Sequence, residues 1–346
     1  MSDKPLLKKA DFQSDQAIRW CPGCGDYAIL AQTQKTFPEI TEDKENTVFI
    51  SGIGCSSRFP YYMNTFGFHT IHGRAPTIAS GLKMANPELS VWLVTGDGDG
   101  FSIGGNHMIH LLRRNVDINV MLFNNRIYGL TKGQYSPTSE QGKVTYSTPM
   151  GSLDYPFKPT KLALGAEASF VAKTIDKELK HLQAMIKRAN SHKGTSFIEI
   201  YQNCNIFNDG AFANLTDRDT KEEQLLRLED GEPMIFGAEK DKGIHLDGTS
   251  PKVVQIGKDF SIDDIVVHNE KDRFIGDMLA NFTASEEFPE PIGVLYCKER
   301  PSYDELMEAQ MKEAQKDSKK TKGLHELLNA GDTCLLYTSD AADDVN

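Results

Sequence analysis

Short apolar runs alternate with amphipathic segments through the first two thirds of the chain. Between the runs, the segments APTIASGLKMAN, GGNHMIHLLRRN and DKELKHLQAMIKRAN have the apolar spacing of helices. Strands that alternate with helices predict an α/β fold, a parallel sheet flanked by helices, in which ligands bind at the carboxyl ends of the strands. The runs that predict strands ending in loops are NTVFISGIGC (46–55), LSVWLVTGDGDG (89–100), DINVMLFNN (117–125) and GTSFIEIYQNC (194–204).

The composition of the sequence changes after residue 215. Acidic and glycine-rich stretches such as LEDGEPMIFGAEKDKGIHLDG follow, and then a charged run, YDELMEAQMKEAQKDSKK, that predicts a solvated helix. We therefore expect an α/β domain over 1–215 and a C-terminal extension over 216–333 that packs on this core or on a partner. The last segment, 334–346, reads CLLYTSDAADDVN and continues no upstream pattern, so we expect it to be foreign to the native gene product and assign Cys334 no role.

Composition and charge narrow the classes of function. The chain has 346 residues, of which 39% are hydrophobic, and its 38 basic residues against 49 acidic ones give a formal net charge of −11. Sequence-independent nucleic-acid binding relies on neutralising phosphates, so we expect no nucleic-acid partner. The N-terminal residues contain no signal-peptide pattern, and no apolar run approaches the roughly 20 residues of a membrane span. These features predict a cytoplasmic protein without a membrane segment.

The segment GDGDG with the later NN predicts a metal and phosphate site. Asp97 follows one predicted strand directly and Asn125 follows the next, so parallel neighbouring strands would bring both to one sheet edge. A carboxylate and an amide oxygen suit Mg²⁺, and glycines in a tight turn let the backbone approach a ligand or adopt positive φ. A helix beginning near Gly104 would offer its N-terminus to phosphates. A GDG turn alone is more often ordinary, and the combination is what favours the site.

Two cysteines in WCPGCG, Cys21 and Cys24, permit three interpretations: a redox dithiol, half of a zinc site, or part of an iron-sulfur cluster. Cys55 in SGIGCSSR and Cys204 in YQNCN each follow a predicted strand. A dithiol needs no third and fourth cysteine, and structural zinc sites usually show two closely spaced pairs where this chain has one. From the cysteines alone, zinc and a cluster stay equally open.

These motifs resemble a known family. GDGDG followed by NN resembles the thiamine-diphosphate signature, and NNRIYGLTKGQYSPTS with the cysteine pattern is similar to the β subunits of 2-oxoacid:ferredoxin oxidoreductases. Segments such as STPMGSLDYPFKP and YQNCNIFNDGAF look most like the bacterial 2-oxoglutarate enzymes. The resemblance makes 1–215 a domain that binds thiamine diphosphate and an iron-sulfur cluster.

The resemblance also assigns residues to each cofactor. Magnesium would be bound by Asp97, Asn125 and the backbone carbonyl of Ile127. Arg58 and His72 are candidates for a catalytic contact. A 4Fe-4S cluster would be bound by Cys21, Cys24, Cys55 and Cys204. Thiamine diphosphate would contact Ile53, Gly54, Ser56, His72, Thr95, Gly96, Asp97, Gly98, Gly129 and Leu130.

The implied reaction is oxidative decarboxylation of 2-oxoglutarate with CoA to succinyl-CoA and CO₂, with electrons passing through the cluster to ferredoxin. The family's α subunit supplies the carboxylate that activates the cofactor, so we expect this chain to need that partner. Three alternatives stay open: a pyruvate or broad-specificity enzyme of the same family, a non-oxidative thiamine-dependent decarboxylase or synthase subunit with structural zinc, and a cofactor-loaded scaffold without catalysis.

Overall fold

A computed structural model describes residues 6–317 and 323–330, and these divide into two compact units after Asp304. The described strands are β1 (Thr47–Ser51), β2 (Phe66–His69), β3 (Ser90–Gly96), β4 (Asn119–Asn124), β5 (Phe170–Ile175), β6 (Ser196–Tyr201), β7 (Leu225–Arg227), β8 (Ile235–Phe236), β9 (Lys242–Asp247), β10 (Ser250–Gln255) and β11 (Glu290–Cys297). The described helices are α1 (Asp26–Ile40), α2 (Phe59–Tyr62), α3 (Ala75–Ala85), α4 (Gly105–Arg114), α5 (Pro159–Gly165), α6 (Leu179–Ser191), α7 (Ala213–Thr216), α8 (Lys221–Gln224), α9 (Arg273–Phe282), α10 (Tyr303–Asp317) and α11 (Leu324–Leu328).

Within the described residues the strands form two sheets, a large one in the order β2-β1-β3-β4-β6-β5-β11-β7 and a small antiparallel one of β10-β9-β8. All pairs from β2 to β5 in the large sheet are parallel, and β11 runs antiparallel to β5. The four predicted strands are β1, β3, β4 and β6. Their interiors are mainly apolar and are buried on both faces, as strands covered by helices on two sides require.

Helices cover both faces of the large sheet, which confirms the predicted α/β class. One face packs against α3, α4, α5 and α9, with Met108, Leu111 and Leu112 of α4 fully buried there. The other face packs against α1 and α6, where Phe37 contacts Phe49 and Trp92. The three predicted helices are α3, α4 and α6. The charged run near the C-terminus is helical in α10.

The boundary predicted at residue 215 does not separate compact units. Residues 216–304 belong to the same unit as the preceding ones, because β7 and β11 pair into the large sheet beside β5. The run EPIGVLYC that forms β11 is apolar and buried, but it lies among acidic segments that obscured it as a strand. Among the described residues there is no helix with the length and apolarity that crossing a membrane requires. The predicted foreign tail, 334–346, and Cys334 lie outside the described residues.

Candidate active site at the carboxyl ends of the strands

The register of β3 and β4 brings the predicted metal ligands together. Gly96 pairs with Phe123, so Asp97 and Asn125 leave the sheet at the same edge. Both line one cavity there, and Ile127 lines it too. Nine of the ten predicted contacts of thiamine diphosphate line this cavity as well: Ile53, Gly54, Ser56, His72, Gly96, Asp97, Gly98, Gly129 and Leu130.

The carboxylate of Asp97 is buried and is held by two hydroxyl groups. Ser136 Oγ donates to Asp97 Oδ2 at 2.5 Å, and Thr138 Oγ1 donates to the same oxygen at 2.6 Å. Burial raises the pKa of Asp97 to about 6, although the two hydroxyl donors act in the opposite direction. Ser136 and Thr138 belong to the segment YSPTS. The density of hydroxyl groups in this segment is the sequence feature that could have indicated these contacts.

The GDGDG segment is helical and not the tight turn that its glycines predict. A π-helix spans Asp99–Ile103 and leads into α4, and Gly98 has ordinary helical angles of φ −68° and ψ −39°. The glycine is required for space, because a Cβ on Gly98 would lie 2.0 Å from the Tyr128 ring. Close packing of Tyr128, and not a positive φ, therefore explains this glycine.

A second aspartate of the same segment, Asp99, organises the loops around the cavity. Its carboxylate accepts hydrogen bonds from the backbone N–H groups of Ile53 at 3.0 Å and Gly73 at 2.7 Å. Thr95 Oγ1 donates to Asp99 Oδ2 at 2.6 Å, and Thr95 does not line the cavity, unlike the other predicted contacts. His72 Nδ1 lies 3.0 Å from Asp99 Oδ1 without a hydrogen-bonding angle. No role was predicted for Asp99 from the sequence.

The two asparagines after β4 have different roles. Asn125 lines the cavity, and its Oδ1 accepts from the N–H of Ile127 at 3.2 Å. Asn124 is buried and does not line the cavity, and its Nδ2 donates to Glu199 Oε1 at 2.7 Å. Between them and Ile127, Arg126 has a left-handed backbone with φ 55°. The donor set offered to the cavity is a carboxylate, an amide and backbone carbonyl groups, the hard oxygen ligands that fit Mg²⁺.

Two of the four predicted cluster ligands, Cys55 and Cys204, lie beside this cavity. A Cβ on Gly129 would lie 3.5 Å from Cys204 Sγ and 3.6 Å from Cys55 Sγ, so this glycine leaves room between the cofactor cavity and the sulfur atoms. The loops are tied together by Trp20 Nε1, which donates to the carbonyl of Cys55 at 2.7 Å. Gln202 Nε2 lies 3.1 Å from Cys24 Sγ and donates to it.

Burial and mutual charge act strongly on these thiols. Burial, followed by the charge of Asp26, raises the pKa of Cys55 to about 12 and raises that of Cys24 as well. Asp26 is itself buried, with a pKa raised to about 7 by that burial, and its Oδ2 has no hydrogen-bond partner. Thiolates in this environment need a cation, which four iron atoms would supply to four cysteines. Within residues 6–317 and 323–330, no three His, Cys, Asp or Glu side chains are arranged to hold a metal ion, so the cluster assignment stays a prediction.

Arg58 lines a second cavity of about 520 Å³ that shares Ile53, Gly54 and Leu130 with the first. Its Nη1 donates to the carbonyl of Arg19 at 3.3 Å. Among the described residues Arg58 forms no ion pair, so its charge is available to this cavity together with that of Arg19.

Comparisons with known proteins show the family of the chain. Residues 52–200 match the family described as thiamine pyrophosphate enzyme, C-terminal TPP binding domain. The chain is 49% identical over 335 residues to the 2-oxoglutarate oxidoreductase subunit KorB of Mycobacterium tuberculosis, covering 96% of this chain and 89% of the relative. It is 42% identical over 221 residues to the 2-oxoacid:ferredoxin oxidoreductase 1 subunit beta of Aeropyrum pernix, covering 64% and 68% of the two chains.

A solved structure shares the fold. The chain is similar to the 2-oxoglutarate:ferredoxin oxidoreductase from Magnetococcus marinus with 2-oxoglutarate, coenzyme A and succinyl-CoA bound, with a TM-score of 0.75, 31% identity, and coverage of 95% of this chain and 98% of that one. The fold and the cavity define a thiamine-pyrophosphate-binding domain of an oxidoreductase. The chain belongs to the family of 2-oxoacid:ferredoxin oxidoreductase β subunits.

Proposed function

We propose that this chain is the β subunit of an enzyme that oxidatively decarboxylates 2-oxoglutarate with CoA and passes the electrons to ferredoxin. The proposal rests on one observation: the predicted cofactor cavity lies next to two of the predicted cluster ligands. Cys55 lines the same cavity as Asp97 and Asn125, and a Cβ on Gly129, which also lines it, would lie 3.5 Å from Cys204 Sγ. A site for carbonyl chemistry therefore adjoins Cys55 and Cys204, two of the four thiols that we assign to an electron carrier.

In this proposal Asp97, Asn125 and the carbonyl of Ile127 would hold Mg²⁺, which would supply positive charge for the diphosphate of the cofactor. Thiamine diphosphate supplies the electron sink for decarboxylation when bound. The protein orients and encloses it: Ser136 and Thr138 fix the carboxylate of Asp97, and Asp99 fixes the loops that carry Ile53 and Gly73. Fixed donors of this kind reduce the reorganisation that binding and reaction require.

Cys21, Cys24, Cys55 and Cys204 would bind the 4Fe-4S cluster. The amide of Gln202 donates to Cys24 Sγ, and hydrogen bonds to ligand sulfur atoms raise the reduction potential of such clusters. Cys21 is exposed, whereas Cys204 is buried. The cluster would thus have one side toward the cofactor and one toward solvent, where ferredoxin could receive the electron.

The cavity of Arg58 and Arg19 is suited to an anionic ligand. Two guanidinium groups beside Tyr61 and His69 offer charge-assisted hydrogen bonds to a carboxylate or a phosphate. Because this cavity shares Ile53, Gly54 and Leu130 with the cofactor cavity, a ligand there would lie next to the cofactor. We assign to it the 2-oxoacid or the CoA that attacks after decarboxylation.

We expect an α subunit to complete the site. Edge strand β2 exposes Phe66 and Phe68, and Ile71 in the loop that follows β2 is 74% exposed. This loop continues to His72, which lines the cofactor cavity, so an apolar surface borders the cavity mouth. Exposed apolar patches of this kind are typical of protein interfaces.

The test is co-production of the chain with its α subunit, followed by anaerobic measurement of viologen reduction. We expect reduction to require 2-oxoglutarate, CoA and both subunits. A panel containing pyruvate tests the choice of substrate, and faster turnover of pyruvate would overturn that choice. Full activity of this chain alone would contradict the need for a partner. Decarboxylation without dye reduction, from protein that contains stoichiometric zinc, would instead support a non-oxidative thiamine enzyme.

A further inference from the structure

A fully buried ionic network lies behind the asparagine loop. Lys173 on β5 and Glu199 on β6 are paired in the sheet register and are both 0% exposed, with Nζ 3.6 Å from Glu199 Oε2. Lys173 Nζ also donates to Glu290, the first residue of β11, at 2.6 Å. Buried ion pairs are weak sources of stability, because desolvation offsets their attraction. Stabilisation alone is therefore a poor reason for this network.

The network reaches the cofactor site through one side-chain amide. Glu199 Oε1 accepts from Asn124 Nδ2 at 2.7 Å, which directs the other end of the amide, Oδ1, to the opposite side. There the N–H of Arg126 donates to Asn124 Oδ1 at 3.2 Å. This contact closes a side-chain turn over Asn125, and it holds Arg126 in its left-handed conformation. The same turn presents Asn125 and Ile127 to the cavity.

We propose that Glu199, held by Lys173, is a positioning residue for the metal-binding loop. Its carboxylate fixes the orientation of the Asn124 amide, and the Asn124 carbonyl then fixes the turn that carries Asn125 and Ile127. Glu199 does not line the cavity, and it is joined to the loop by its hydrogen bond with Asn124, while its charge also acts on Arg126. Through Glu290, the network also ties β11 to this loop. The inference rests on the proposed function, because it requires that this loop binds Mg²⁺ and thiamine diphosphate.

A purely structural role would have different consequences. The chain offers a half-buried pair for comparison: Lys83, 4% exposed, lies 3.0 Å from Asp117, whose side chain is 20% exposed, and neither residue lines the cofactor cavity. If the Lys173–Glu199 pair affected cofactor binding only by stabilising the fold, Lys83→Met would weaken cofactor binding as much as a change at Glu199. A positioning role instead predicts that the effect depends on the acceptor oxygen at position 199 and on Asn124.

The experiment uses the co-purified complex with its α subunit and measures the affinity for thiamine diphosphate as Mg²⁺ is titrated, with thermal unfolding of each variant alongside. We expect Glu199→Met, which has no acceptor, to weaken this affinity by about 10- to 100-fold, the range found for residues that orient metal ligands. Glu199→Gln keeps an acceptor for Asn124 and should stay within about threefold of the wild type. Lys83→Met should lower the unfolding temperature and leave the affinity unchanged.

A double-mutant cycle gives the sharpest outcome. If Glu199 acts through Asn124, Glu199→Met combined with Asn124→Ala should bind no more weakly than the weaker single variant. Additive losses, or unchanged binding in Glu199→Met, would overturn the inference. If Glu199→Met does not fold, Asn124→Asp takes its place. The ionised carboxylate of this variant keeps an acceptor for the N–H of Arg126 but has no donor for Glu199. Wild-type affinity for thiamine diphosphate in this variant would overturn the inference. Failure of the wild-type complex to bind thiamine diphosphate with Mg²⁺ would instead overturn the proposed function itself.

Discussion

Asp97 is the residue on which the metal assignment depends most. Replacing it with alanine removes the single carboxylate that we place on Mg²⁺ and leaves Ser136 and Thr138 without their common acceptor. We expect Asp97→Ala to weaken Mg²⁺-dependent thiamine diphosphate binding by at least about 100-fold, as measured by calorimetric titration. Asp247→Ala serves as the control. Asp247 of β9 forms an exposed ion pair with Lys252 of β10, and this variant should bind thiamine diphosphate normally. Normal binding by Asp97→Ala would refute the assignment.

His181 on α6 makes stability depend on pH away from the site. Its Nδ1 lies 2.8 Å from Thr174 Oγ1, and burial lowers its pKa from 6.5 to about 4. Since the unfolded chain binds the proton more readily, this group destabilises the fold as pH falls from 6.5 through 4, by about 3 kcal/mol in total.

His181→Gln keeps a polar partner for Thr174 and does not titrate. Chemical denaturation at pH 6.5 and pH 4.5 should therefore show a smaller acid loss in the free energy of unfolding for this variant than for the wild type. His325→Gln, at an exposed histidine on α11, should retain the wild-type loss. An identical acid loss in His181→Gln would show that protonation of this histidine is unimportant.

Some site residues could be predicted because they follow strands directly. Asp97 and Asn125 each come within a few residues of a buried strand, so strand order alone places them at one edge. Asp99, Ser136 and Thr138 could not be found this way. Their contacts depend on a π-helix and on a long segment without regular structure, and neither leaves a periodic pattern in the sequence.

At the scale of elements, the passage from β3 into α4 depends on close packing at Gly98. A methyl group there would overlap the Tyr128 ring, so Gly98→Ala must displace either the helical segment or the ring. We expect a loss of roughly 1–3 kcal/mol in the free energy of unfolding, measured by denaturation, together with weaker cofactor binding.

Gly105 provides the matched control for that substitution. It begins α4, and a Cβ at this position would meet nothing within 4 Å. Alanine favours helix by up to about 1 kcal/mol over glycine, so Gly105→Ala should be neutral or slightly stabilising. Equal losses in both variants would show that the Tyr128 contact is not the cause.

The central elements could be predicted and the peripheral ones could not. Strands β1, β3, β4 and β6 are mainly apolar runs because helices cover both their faces, and Glu199 of β6 is a buried exception. By contrast, β2 is exposed at every position and β7 has only three residues. Strand β11 is buried, but it joins the sheet from a distant part of the chain, and no local pattern shows that pairing.

At the scale of the whole molecule, the large sheet requires residues beyond 215. A chain ending at residue 304 keeps β7 and β11, whereas one ending at residue 215 loses both and leaves Lys173 without Glu290. We expect residues 1–304 to unfold cooperatively on heating, followed by circular dichroism, and residues 1–215 to be unfolded or aggregated. A cooperative transition in the shorter chain would restore the boundary at 215.

In the proposed enzyme, a thiamine diphosphate site adjoins an iron-sulfur cluster at Gly129. The most direct test is the visible absorbance of the complex with its α subunit, purified without oxygen, before and after addition of 2-oxoglutarate and CoA. The account predicts brown protein with about four irons per chain that bleaches on addition of these substrates, and an Asp97→Ala variant that stays brown. Colourless wild-type protein containing zinc, or brown wild-type protein that the substrates do not bleach, would contradict it.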